Sequence, residues 1–115
     1  MVKKWEIYFI DLDPAQSSEQ KGIHPVLIIS NDAVNMHLPI CTVIPFSSYR
    51  QGAMIYPTEV LLKVSETGLP KDSILMIQQI RTVTVSRLKS RSIGLIKDDD
   101  VKNRISTALS EYFEL

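Results

Sequence analysis

Two apolar runs, residues 7–12 and 26–29, flank a polar stretch in which no hydrophobic period survives. Residues 5–12 (WEIYFIDL) are rich in aromatic and β-branched side chains and read as a strand. Both faces of that strand are apolar, which suits a central position or a subunit contact. Residues 23–30 (IHPVLIIS) predict a second, well-buried strand, whose Pro25 belongs where the ladder needs no donor. Asn31 and Asp32 can cap a single helical turn over residues 33–36. Residues 40–46 (ICTVIPF) predict a third strand, in which Pro45 suggests a bulge or an edge position. A polar loop over residues 47–52 follows, then a fourth strand over 58–63 (TEVLLK). Gly68 and Pro70 punctuate a turn over 66–72. Residues 73–85 form the longest β-like run, bent near Gln78 and Gln79, and residues 92–94 add a short strand. Asp98 opens the one long helix. Acidic residues in its first turn suit the helix dipole, and Val101, Ile105, Ala108, Leu109, Tyr112 and Phe113 make a single apolar stripe.

Five to seven short strands followed by one amphipathic helix predict a mainly β fold: a small, strongly curled antiparallel sheet or barrel closed by the C-terminal helix. The 115 residues fit one domain, residues 1–115. At 44% apolar and 23% charged, the chain has the balance of an ordinary globular protein with a real core. Its apolar runs are far too short to span a bilayer, and residues 1–4 lead into a strand pattern rather than a signal peptide. A cytoplasmic location with no membrane partner is therefore the expectation. Cys41 is the single cysteine, so no internal disulfide can form, and a buried thiol in a reducing compartment is the simple reading. With His24 and His37 outside any C-x-x-C pattern, neither a metal site nor another cofactor is expected.

The formal charge is zero but unevenly spread. Residues 81–97 carry Arg81, Arg87, Lys89, Arg91 and Lys97 with no acid, whereas residues 98–115 are mainly acidic. Such asymmetry permits a basic face for phosphate without a basic isoelectric point, and equally a solvated surface of mixed charge. The richer signal is the interruption between the first two strands. Pro14 and Gly22 mark it as a loop, longer than a hairpin needs, and loops of that kind often carry function. Ser17, Ser18, Glu19, Gln20, Lys21 and His24 bring hydroxyl, carboxylate, amide, ammonium and imidazole within eight positions.

An ordered set of segments narrows the reading: DLDP (11–14), SEQKG (18–22), HPVLIISND (24–32), PFSS (45–48), KDS (71–73), QIRTV (79–83) and SRL (86–88). Together they resemble the MazF/PemK/Kid toxins of bacterial type II toxin–antitoxin systems, over nearly the whole chain including the terminal helix. The resemblance implies a small SH3-like barrel of the CcdB/PemK type, a homodimer, and metal-independent, sequence-specific cleavage of single-stranded RNA. In that reaction the RNA's own 2′-hydroxyl attacks the adjacent phosphate. The step needs a base for the 2′-proton, an acid for the leaving oxygen, and donors for the charged phosphoryl oxygens. The implied partners are single-stranded RNA and a cognate MazE-like antitoxin with an acidic disordered tail, operator DNA being reached only through the antitoxin.

Site residues carried over by the resemblance are His24 and Ser47 as the catalytic pair. Ser18, Glu19, Gln20, Lys21, Ser48, Arg50, Gln79 and Arg81 are the implied RNA contacts, and no residue is a metal ligand. His24 stands before Pro25 where the family usually has arginine, and Ser47 stands where it usually has threonine. Imidazole can exchange protons near neutrality but lacks the charged fork that grips two phosphate oxygens. A strand-start histidine bonded to a nearby carbonyl is the competing reading for His24, a serine bonding its own backbone that for Ser47. For Arg81, phosphate contact and dimer support stay open. Arg87, Lys89 and Arg91 read as surface charges. Trp5 and Ser17 occupy positions where relatives often have glycine. Residues 76–78 lack the arginine and aspartate of the Kid branch, so that arrangement is absent. Two alternatives remain beside the ribonuclease: an impaired RNA- or antitoxin-binding relative, and a CcdB-type gyrase poison.

Overall fold

A computed structural model describes all 115 residues. Seven strands form one antiparallel sheet: β1 (Glu6–Asp11), β2 (Ile23–Ile28), β3 (Ile40–Ser48), β4 (Glu59–Leu62), β5 (Ser73–Met76), β6 (Arg81–Thr84) and β7 (Gly94–Leu95). Three helices join them: α1 (Asp32–His37), α2 (Val64–Thr67) and the long α3 (Asp99–Phe113). The hydrogen-bonded order is β4-β5-β3-β2-β1-β7, with β6 pairing β3 as well. The sheet curls into a half-barrel capped by α3, as the element pattern predicted.

The doubly apolar reading of β1 has a direct cause. Successive side chains in a strand point to opposite faces, and here each face has its own core. Ile7, Leu27, Ile44 and Phe46 enter the cluster covered by Val101, Ile105 and Ala108 of α3. Ile10, Val26, Ile28, Cys41 and Val43 enter a second cluster with Val83 of β6. Burial pushes the Cys41 thiol pKa up, so it stays protonated and inert.

Pro45 is a correction. It marks neither an edge nor a bulge, because β3 is the strand with the most partners. On one side Val43 pairs with Arg81 of β6, and Phe46 pairs with Leu75 of β5. Pro45 falls between these two ladders, where a missing N–H breaks nothing on that side. β3 also runs on through Ser47 and Ser48, which the sequence had suggested as loop. Asn31 caps α1, accepting from the Val34 N–H at 2.8 Å, and Asp98 caps α3, accepting from the Asp100 N–H at 2.7 Å. The stripe of α3 ends early: Tyr112 and Phe113 are exposed and stack edge-to-face on each other, 5.0 Å apart. Trp5 precedes β1 rather than joining it, with a left-handed φ of 77°.

Candidate active site

The loop between β1 and β2 is closed at its neck by backbone and held at its tip by side chains. The Leu12 N–H donates to the Gly22 carbonyl at 2.9 Å. Gly22 takes a φ of 83°, open to glycine at no steric cost, and its N–H donates to Asp13 Oδ1. Gln79, at the bend between β5 and β6, then grips the tip twice. Its Oε1 accepts from the Gln20 N–H and its Nε2 donates to the Ser18 carbonyl, both at 3.0 Å. From below, Arg87 Nη2 donates to the carbonyls of Asp11 (2.6 Å) and Asp13 (2.8 Å), and Arg81 Nη1 to that of Leu12 (3.3 Å). Arg87 is thus a structural clamp, not the free surface charge its sequence context suggested. Nothing in the sequence marks it, because its partners are backbone carbonyls more than seventy positions away.

His24 lies on β2 opposite Ile10 of β1. The β2–β3 register pairs Val26 with Pro45, and extending it by two residues sets His24 across from Ser47. The ring joins the strands directly: His24 Nδ1 lies 3.0 Å from the Phe46 carbonyl, immediately before Ser47. A carbonyl only accepts, so Nδ1 donates. The expected carbonyl bond of the competing reading is therefore present, yet the histidine is half-buried at an open groove rather than withdrawn into the core. That groove, about 470 Å³, is lined by His24, Ser47, Ser48, Arg50 and Ser73 with the edges of Ile23, Pro25 and Phe46. Arg50 is the one Lys or Arg among its lining residues, and no carboxylate lines it.

A smaller cavity of about 160 Å³ lies beside it, lined by Glu19, Gln20, Gln79 and Arg81 with Leu12, Pro45, Gln78 and Ile80. Gln20 links the two, its side-chain nitrogen lying 2.8 Å from His24 Nε2. Eight of the ten sequence-selected site residues thus gather into two adjoining hollows. Ser18 and Lys21 stay exposed on the loop, Ser18 engaged only through its carbonyl. Gln78 and Ser73 were missed. Gln78 bonds Glu59 and Thr58 beneath the small cavity, and the Ser73 hydroxyl donates to the Lys71 carbonyl. The largest hollow, about 1420 Å³ between α2, β7 and the start of α3, contains none of these residues. Its arginine, Arg104, is already paired with Glu66. Chemistry, not size, therefore singles out the smaller grooves.

A family model described as PemK-like, MazF-like toxin of type II toxin–antitoxin system matches residues 3–113. The chain belongs to that family. It is 36% identical over 109 residues to an endoribonuclease, EndoA, of Bacillus subtilis, spanning 95% of this chain and 91% of that protein. It is 39% identical over 111 residues to the endoribonuclease MazF of Staphylococcus saprophyticus, spanning 95% and 92%. Among solved structures, the Mycobacterium tuberculosis toxin MazF-mt6 superposes with a TM-score of 0.75 at 26% identity, covering 96% of this chain and 97% of that one. Trp5 (φ 77°) and Ser17 (φ 51°) adopt left-handed conformations, which glycine takes at no steric cost. Trp5 is held there by packing against the α3-side core and by Lys4 and Lys102, whose ammonium groups lie 5.1 and 5.6 Å from its ring centre.

Proposed function

We propose that this MazF/PemK-family protein is an endoribonuclease toxin that cuts single-stranded RNA by internal attack of a 2′-hydroxyl, with His24 and Ser47 as its catalytic pair. The observation that carries the reading is that an imidazole and a hydroxyl from neighbouring strands line one open groove free of carboxylates. His24 takes the 2′-proton on Nε2, the nitrogen not engaged with Phe46. The 2′-oxygen bonds to phosphorus, the bond to the 5′-oxygen breaks, and solvent in the open groove supplies the leaving oxygen's proton. Ser47 donates to a non-bridging phosphoryl oxygen as its charge grows. Arg50 supplies the guanidinium that position 24 lacks, gripping phosphate within the same groove. Glu19, Gln20, Gln79 and Arg81 meet a flanking base and its phosphate in the small cavity, with Ser18, Lys21 and Ser48 at the rim. The protein works as a cytoplasmic homodimer restrained by an antitoxin whose acidic, disordered tail competes for the same basic groove. No helix is long and apolar enough to cross a membrane.

The test is incubation of the purified protein with long single-stranded RNA in EDTA, followed by end mapping. Discrete cyclic-phosphate ends are expected. His24→Ala should slow cleavage by about 100- to 10,000-fold and Ser47→Ala by about 100- to 1,000-fold. RNA bound but uncut would replace this reading with that of an impaired relative. Intact RNA with blocked DNA supercoiling would point instead to a gyrase poison.

A further inference from the structure

We infer that Gln79 is the positioning residue for Glu19: its carboxamide bonds the two peptide groups on either side of Glu19, as a parallel strand would, and so holds that residue at the small cavity for the N–H edge of a nucleobase. This rests on the proposed ribonuclease reading and gives one wall of that cavity its ligand and its support. The Ser18 carbonyl accepts from Gln79 Nε2 and the Gln20 N–H donates to Gln79 Oε1, both at 3.0 Å. A carbonyl at i−1 and an N–H at i+1 are the pair that one residue of a parallel strand engages. A carboxamide answers both because it carries a donor and an acceptor side by side. Gln79 can act as the fixed partner because its own turn, Ile77–Gln79, is anchored. Ile77 is fully buried, its N–H donates to the Thr58 carbonyl and its carbonyl accepts from the Ile80 N–H, both at 3.1 Å.

Glu19 is held from within the loop as well. Its N–H donates to the Gln16 carbonyl at 3.0 Å, and its Oε1 accepts from the Gln16 N–H at 2.5 Å. Glu19 and Arg81 line one cavity yet form no ion pair, both ion pairs of the chain belonging to Arg104. A phosphate has only acceptors to offer and is repelled by Glu19, so the ligand at this carboxylate is a base. Its amino or imino N–H meets Glu19, and its flat face meets Leu12, Pro45 and Ile80.

The test is a double-mutant cycle with Gln79→Met, which keeps the length of the side chain and removes both bonds. Without RNA, exchange of the Gln20 amide should quicken about 3- to 10-fold in Gln79→Met, while that of Leu12, bonded to Gly22, stays as it was. For cleavage, KM should rise about 5- to 100-fold with kcat little changed. In a Glu19→Ala background the same substitution should add less than about a twofold effect. Mapped cuts should lose the same flanking-base preference in Gln79→Met and in Glu19→Ala, whereas a merely structural role would weaken all sites alike. Losses that multiply in the double variant, or a Gln20 amide that exchanges at the wild-type rate in Gln79→Met, overturn the inference. If the wild type leaves RNA intact, the nuclease reading falls by itself, and the cycle is read in the Kd of a mixed-sequence 2′-deoxy oligonucleotide. Non-additive losses of affinity then uphold the role of Gln79, and additive ones, or no binding at all, overturn it.

Discussion

The Tyr8 hydroxyl donates to Glu6 Oε1 at 3.0 Å from a side chain that is 8% exposed. Burial, and then the Glu6 carboxylate, push its pKa up to about 12 from 10.0. The neutral phenol is the folded form, so the unfolded chain loses its proton first as pH rises. This contribution is fully present below pH 10 and is lost as pH climbs from 10 to about 12, a loss of roughly 2 kcal/mol. Urea midpoints at pH 9 and 11.5 should therefore fall further for the wild type than for Tyr8→Phe, and equal falls would refute the assignment. Ser17 makes the opposite case. Its φ of 51° costs about 1–2 kcal/mol for a residue with a Cβ, while glycine's extra chain entropy costs about 0.5–1 kcal/mol. Ser17→Gly should raise the melting temperature by about 2 °C, a lowered one counting against strain there. At this scale the sequence was partly legible: Ser17 at a glycine-like position hinted at a backbone that serine resists, whereas Trp5 read as the start of a strand and its left-handed φ was not foreseen.

Among the elements, strand alternation and the N-terminal cap of α3 were readable because they depend on neighbours within four residues. What was not readable depends on distant backbone. Pro45 looked like an edge until β3 proved to change partners around it, and Arg87 looked free until it met the carbonyls of Asp11 and Asp13. Arg87→Ala removes those two bonds from the loop's neck, each worth about 1.5–3 kcal/mol as a charged donor. Amide exchange over residues 13–22 should quicken while that of α3 stays slow. Equal protection of the loop in both proteins would show that Gln79 alone suffices. A second distant contact governs β7. A Cβ on Gly94 would stand 2.8 Å from the Thr67 carbonyl oxygen and 3.4 Å from Ile7 Cδ1, so this short strand lies against α2 only as glycine. Gly94→Ala should cost about 1–3 kcal/mol in urea unfolding, and an unchanged midpoint would mean that α2 yields easily.

For the molecule as a whole, zero net charge leaves little long-range attraction for RNA, so affinity must come from the few cations that face the grooves. The basic run over residues 81–97 looked like the obvious phosphate face. Its first two arginines are instead spent on the loop's carbonyls, and Lys97 lines the large hollow, which contains neither His24 nor Ser47. Arg50, outside that run, is the cation on the groove of His24 and Ser47. The distinction is measurable in salt. Each phosphate neutralised on a single strand adds about 0.7 to the slope of log affinity against log salt. Arg50→Ala should therefore flatten that slope by about 0.7 for an uncleavable 2′-deoxy oligonucleotide, and should also slow cleavage of RNA. Lys97→Ala should leave both unchanged, although it removes the same formal charge. If the two variants flatten the slope equally, binding answers to overall charge and the groove has no privileged cation. If Arg50→Ala alone does so, the guanidinium missing from position 24 has been replaced by another residue of the same groove.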